Sequence, residues 1–236
     1  MSPTLKHFDN AAQLTAIATD IVCARLLEDI NTSGQASLMV SGGSTPAPLY
    51  KSLSTQDISW GKVQVALVDE RWVDENDNGS NTNFVRKSLL QNKAGQAEFI
   101  PMKTRHSEIE KAQPHVETAY QKIPRPYSAI VLGMGLDGHT ASWFPGAEGL
   151  PQALDPKNKN LVQAITAKPS DVTGAYLQRM SLTRSAVENC TLALLLITGA
   201  QKKKVFMQAL EDPKSPLPIR TAIDALGERL IVLSAD

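Results

Sequence analysis

Asp137 and His139 stand two residues apart in the run Gly133-Met134-Gly135-Leu136-Asp137-Gly138-His139-Thr140, which follows an apolar stretch. Imidazole titrates nearer neutrality than any other unperturbed side chain, so a His on a glycine-flexed loop suits a general base, with the Asp orienting it or holding substrate. The bland alternative is a His that caps a helix beginning near Thr140. The run also contains a literal Gly-x-Gly-x-x-Gly, which raises a dinucleotide site. Such a site needs an acidic residue about 20 positions on, at the end of the next strand. Asp155 lies near that offset, but Pro151 and Pro156 flank it and no strand precedes it, so that reading is set aside.

Three other runs carry chemistry. Ser41-Gly42-Gly43-Ser44-Thr45-Pro46 couples glycines, which let backbone N–H groups approach an anion, with hydroxyls at a helix start. It lacks the Gly-Lys-Ser/Thr of a P-loop, and an ordinary strand-to-helix turn would look the same. In Asp69-Glu70-Arg71, Arg71 could hold a phosphate or sugar oxygen bidentately and Asp69 could bind a sugar hydroxyl or move a proton, although a solvated loop is the default for any one of them. Gly199-Ala200-Gln201-Lys202-Lys203-Lys204 puts three lysines in the first turn of a helix, against its macrodipole. An anionic ligand would relieve that conflict, most directly at Lys202, while Lys203 and Lys204 point to solvent. The four His residues share no metal-ligand spacing, so no metal is expected.

Apolar segments place these runs. A capping box at Asn10-Ala11-Ala12-Gln13 opens a helix to about Asp29, followed by a turn over 31–35. Strands are expected at 37–40, 63–68, 128–132, 161–165, 191–197 and 229–233, with helices after Pro46, over 84–91, over 108–121 and from about Ala200. Continuous apolar strands alternating with helices predict a doubly wound, mostly parallel α/β sheet with helices on both faces. The expected organisation is a single domain over 1–236, with a small accessory sub-structure within 145–180, where Pro and Gly interrupt the pattern. In such sheets ligands bind beyond the carboxyl ends of the strands, and all four chemical runs fall at that edge.

Composition narrows the ligand. Lys plus Arg and Asp plus Glu are both 24 in 236 residues, so no global basic field exists for a polyanion and nucleic acid is not expected. No apolar run approaches the roughly 20 residues of a spanning helix, and the N-terminus has no export-signal pattern, so a cytoplasmic protein is expected. Cys23 and Cys190 lie in apolar periodic segments and read as buried small hydrophobes, without a disulfide framework. The composite is a site for a small, anionic, hydroxyl-rich substrate handled by acid/base chemistry.

The sequence resembles the 6-phosphogluconolactonase family, in the superfamily that also holds glucosamine-6-phosphate deaminase and ribose-5-phosphate isomerase. The resemblance is carried by Ser41 to Pro46, Asp69-Glu70-Arg71-Trp72-Val73, Ser80-Asn81, Gly133 to Ser142 continuing to Phe144-Pro145-Gly146, Arg179-Met180-Ser181-Leu182-Thr183 and Gly199 to Lys202. It implies hydrolysis of 6-phosphoglucono-δ-lactone to 6-phosphogluconate in the oxidative pentose phosphate pathway, without a cofactor; a monomer acting on a small-molecule substrate is expected. It implies His139 as the base, with the Ser41-Gly42-Gly43 loop, Arg71, Arg179 and Lys202 as anion contacts; the candidate site adds Asp137 beside His139 and Ser44, Thr45, Asp69 and Asn81 as substrate contacts. The family usually carries a proline-rich stretch before the arginine matched by Arg179, whereas this chain reads Val172-Thr173-Gly174-Ala175-Tyr176-Leu177-Gln178. The competing readings are a sugar-phosphate isomerase or deaminase, with Asp69 shuttling the proton, and a non-catalytic phosphosugar-binding domain. The latter normally accompanies a DNA-binding helix-turn-helix, for which a helix over 10–29 followed directly by a strand leaves no room.

Overall fold

The computed structural model describes residues 2–236. Chain order begins β1 (Thr4–Phe8), α1 (Ala11–Ser33), β2 (Ala36–Val40), α2 (Ala47–Ser54), β3 (Val63–Leu67), β4 (Asp69–Arg71), α3 (Asn81–Ser88), β5 (Glu98–Ile100), α4 (Ile109–Tyr120) and β6 (Tyr127–Leu132). It continues with α5 (Leu150–Leu154), β7 (Val162–Thr166), β8 (Gln178–Leu182), α6 (Arg184–Glu188), β9 (Cys190–Thr198), α7 (Ala200–Glu211), α8 (Pro218–Leu226) and β10 (Leu230–Ala235).

Seven strands form one sheet in the order β1-β10-β9-β6-β2-β3-β5, and every neighbouring pair is parallel. β2 and β6 are buried at every position, as expected of central parallel strands covered on both faces. From β2 the chain adds β3 and β5 on one side, then returns to lay β6, β9 and β10 on the other. The order therefore reverses between β2 and β6, where an open α/β sheet leaves a crevice beyond its strand ends.

A second sheet departs from expectation. β4, β8 and β7 form a three-stranded antiparallel sheet, so the predicted strand over 161–165 does not join the main sheet. Asp69-Glu70-Arg71 is likewise a strand rather than a solvated loop, with Asp69 7% exposed and Glu70 fully buried. The link is a bend at Val68, whose N–H donates to Val40 O of the main sheet at 2.9 Å and whose carbonyl accepts from Leu182 N of the small one at 2.8 Å. The substructure expected within 145–180 thus takes a strand from far earlier in the chain.

Smaller differences have local causes. α1 runs on to Ser33 because the Thr32 and Ser33 hydroxyls donate to the carbonyls of Glu28 and Asp29, and it stops at Gly34 with φ 79°. α3 starts three residues before the predicted helix, capped by Ser80, whose hydroxyl accepts from Asn83 N at 3.2 Å. No helix begins at Thr140: its hydroxyl donates back to Gly133 O at 2.8 Å, Ala141 sits at φ 50°, and the chain runs on in turns. Cys190 is buried, but Cys23 is only half-buried, one position off the Leu14, Ala18, Val22, Leu26 and Ile30 stripe of α1.

Candidate active site

A pocket of about 380 Å³ opens at the carboxyl ends of β2, β6 and β9, in the range that accommodates a small metabolite. Its lining brings together Ser41, Gly42, Gly43, Ser44, Thr45, Asp69, Arg71, Asn81, His139, Arg179 and Lys202. Asp137 is the one predicted site residue outside the lining, and it sits behind His139. Sequence reasoning passed over Met134, Leu136, Ala141, Phe144 and Val172, which also line the pocket, because apolar residues in loops carry no chemical signal of their own.

The His139 loop closes on itself through Gly135 N–H donating to His139 O at 2.9 Å. His139 Nδ1 lies 2.6 Å from Asp137 Oδ1, and the same oxygen accepts from the His139 backbone N–H at 3.2 Å. With the carboxylate accepting from Nδ1–H, the acceptor lone pair is on Nε2, the tautomer a base requires. Burial pushes the Asp137 carboxyl up, but the hydrogen bond and charge of His139 outweigh it and hold the group below the ordinary carboxylate range. Gly135 is required here because a Cβ would run into the imidazole and the Asp137 carboxylate. Phe144 backs the ring at 4.3 Å between centroids. The dipeptide spacing therefore makes a carboxylate–imidazole pair, not a helix cap.

The opposite wall stands on the small sheet. Arg71 of β4 and Arg179 of β8 are direct cross-strand partners, a placement that is unfavourable for like charges in the absence of an anion. Their donors go to neutral backbone carbonyls: Arg71 to Gly79 O at 2.5 Å, and Arg179 to Tyr176 O at 2.7 Å and Thr173 O at 3.0 Å. Arg71 Nε is buried with no partner. Burial, reinforced by the Arg71 charge, brings the Arg179 guanidinium down to about 10. The charges of Asp69 and Glu70 oppose that shift, and a bound anion would oppose it further while giving Arg71 Nε an acceptor. Arg179 also lies over Phe144 at 5.4 Å from the ring centroid, so one aromatic side chain touches both walls.

Asp69 and the glycine loop join the walls. Asp69 Oδ2 accepts from the Ser142 hydroxyl at 2.6 Å, and the Asn81 amide donates to Asp69 O at 2.8 Å. Gly42 admits Asn81, since a Cβ there would overlap the amide. Glu70, which points away from the pocket, accepts from the backbone N–H groups of Arg71, Asn81 and Thr82 at 2.7–2.8 Å and from the Ser80 hydroxyl at 3.1 Å. It thereby anchors the start of α3 and with it Asn81. Burial raises its pKa against those donors. The sequence signal was available: an acid after a strand, with a Ser N-cap ten residues on. Among the described residues no group of three or more His, Cys, Asp or Glu is placed to hold a metal ion.

Comparison with known proteins bears on this site. A family model described as "Glucosamine-6-phosphate isomerases/6-phosphogluconolactonase" matches residues 9–231. A 6-phosphogluconolactonase of Rhizobium meliloti (strain 1021) is 38% identical over 224 residues, covering 94% of each chain. One from Xylella fastidiosa (strain Temecula1) is 37% identical, covering 97% of this chain and 95% of its own. The crystal structure of a 6-phosphogluconolactonase from Shewanella baltica OS155 superimposes with a TM-score of 0.91 at 35% identity, over 99% of this chain and 98% of that one.

Proposed function

The chain belongs to the glucosamine-6-phosphate isomerase/6-phosphogluconolactonase family, and from that premise we propose that it hydrolyses 6-phosphoglucono-δ-lactone to 6-phosphogluconate in the pentose phosphate pathway. The observation that carries this reading is a base and an anion cradle facing one pocket: His139, oriented by Asp137, across from the adjacent Arg71 and Arg179.

In the proposed reaction, His139 Nε2 takes a proton from water as the water oxygen attacks the lactone carbonyl. The tetrahedral oxyanion then collapses, the bond from the carbonyl carbon to the ring oxygen breaks, and His139 returns its proton to the departing oxygen. The resulting carboxylic acid ionises and leaves. Asp137 holds the imidazole in the correct tautomer and stabilises the transient imidazolium. Arg71, Arg179 and Lys202 take the phosphate, Asp69 and Asn81 take sugar hydroxyls, and backbone N–H groups of the Ser41–Thr45 loop steady the oxyanion. Binding at the phosphate positions the ester for chemistry at the far end of the molecule. We take a monomer as the working unit. No helix among the described residues is long and apolar enough to cross a membrane, and we place the enzyme in the cytoplasm with its small-molecule substrate as partner.

The test is hydrolysis of freshly made lactone followed by NMR above its spontaneous opening. His139→Ala should lose about 10²- to 10⁴-fold in turnover while retaining affinity for product. Undiminished turnover would remove His139 from the mechanism. An isomerase assay on phosphosugars tests the route through Asp69, whose carboxylate is here engaged by Ser142.

A further inference from the structure

Both arginines of the anion wall take their orientation from loop carbonyls, and those loops are tied together by a contact outside the pocket lining. Arg71 is held by Gly79 O, in the loop after β4, and Arg179 by Tyr176 O and Thr173 O, in the loop before β8. The Tyr176 hydroxyl crosses between the loops to donate to Asp77 Oδ1 at 2.8 Å, and that same oxygen accepts from Gly79 N–H at 2.6 Å. The tyrosine ring packs against Gly79, where a Cβ would collide with it. One residue, Gly79, thus touches Arg71, Asp77 and the Tyr176 ring, while Tyr176 supplies the carbonyl for Arg179.

We propose that Tyr176 and Asp77 form a strap that sets the spacing of Arg71 and Arg179, making them positioning residues for the anionic end of the substrate. Arg71 and Arg179 are cross-strand partners, and among the described residues neither guanidinium makes an ion pair with a carboxylate, so the direction of each side chain depends on the loop carbonyls that hold it. The ladder bonds of β4 and β8 fix the backbone, but each long arginine side chain is directed by the carbonyl it meets. The Asp77 carboxyl is held below its ordinary range by Gly79 N–H and the Tyr176 hydroxyl, and Tyr176 ionises above its ordinary range because of Asp77.

This inference rests on the reading that the arginines hold the phosphate, and the experiment separates the two. KM and kcat are measured for 6-phosphogluconolactone and for unphosphorylated glucono-δ-lactone in the parent, Tyr176→Phe, Asp77→Ala, Asp77→Asn and Arg179→Gln. Tyr176→Phe keeps the ring and loses only the cross-loop bond. It should raise KM for the phosphorylated lactone about 3- to 10-fold, the scale of one hydrogen bond, with kcat and the unphosphorylated KM within twofold of the parent. Asp77→Ala should do the same, and Asp77→Asn, which keeps an acceptor oxygen, should restore the parent values. Phenolate absorbance reads the strap directly, because Tyr50, Tyr120 and Tyr127 are buried and ionise at higher pH. Asp77→Ala should move the first tyrosine transition to lower pH. If Arg179→Gln shifts the phosphorylated KM and Tyr176→Phe does not, the strap is wrong and the anion reading stands. A rise in both KM values together with a fall in Tm would show a merely structural role and overturn the strap. If Arg179→Gln leaves the ratio of the two KM values unchanged, the anion reading falls, and the strap with it.

Discussion

The two walls of the pocket are built by different means. The wall proposed to move the proton is a loop at the end of β6, closed on itself by short-range bonds, in which the imidazole, its carboxylate and the glycine that admits the ring lie within five residues. The anion wall is made of side chains on two antiparallel strands, and its partners, Arg71 and Arg179, lie more than 100 positions apart in the sequence. The local wall draws its geometry from near neighbours, with one backbone bond from Ile219 N–H to Gly138 O tying it to α8. The assembled wall depends on everything that brings β4 beside β8, including the buried Glu70 that pins α3.

Substitutions should separate the walls. The largest effect is expected from Arg71→Gln together with Arg179→Gln, which should lower kcat/KM for the phosphorylated lactone about 10²- to 10³-fold and leave the unphosphorylated lactone nearly unaffected. Equal losses on both substrates would erase the distinction between the walls. Next comes Gly135→Ala, whose Cβ would push the imidazole from Asp137. Displacement of a base by about 1 Å can cost about 10²-fold, so kcat should fall on both substrates while inhibition by inorganic phosphate is unchanged.

Stability effects are smaller. Glu70→Ala strands the N–H groups of Arg71, Asn81 and Thr82, and thermal unfolding should show a loss of about 2–3 kcal/mol, or about 4–12 °C in Tm. Phosphate affinity should weaken alongside, which would tie the anion wall to the α3 anchor. The smallest effect concerns Asp137. Its folded pKa lies below the ordinary value, so the native state binds fewer protons than the unfolded chain across the ordinary carboxylate range. Its contribution is therefore present above that range and lost as pH falls through the depressed value. Denaturant melts of the parent and Asp137→Asn should show a gap at pH 7 that closes on acidification below the ordinary carboxylate range. A gap independent of pH would mean the pair contributes nothing as an ion pair.

The difference between the walls also decided how much could be read in advance. Ser41 to Thr45, Asp137 with His139, and Lys202 each follow a continuous apolar strand, and a parallel sheet brings such strand ends to one edge whatever the details of packing. Asp69 and Glu70 were harder to read, because a charge after a strand is solvated in most proteins. Here the bend at Val68 turns those charges into a second sheet. The strand at 162–166 has the apolar character of a main-sheet strand, and periodicity does not say which sheet it joins.

By itself the sequence determined the parallel α/β sheet, the carboxyl-edge location of the candidate site residues and the closeness of Asp137 to His139. These follow from contacts between near neighbours and from strand burial, both of which are written in short windows of residue types. Tertiary structure alone decided that β4 pairs with β8, that Arg71 meets Arg179, that Glu70 is buried under α3 and that Tyr176 reaches Asp77. Those contacts join residues distant in sequence, and their energies depend on the three-dimensional path of the loops, which no local spacing encodes.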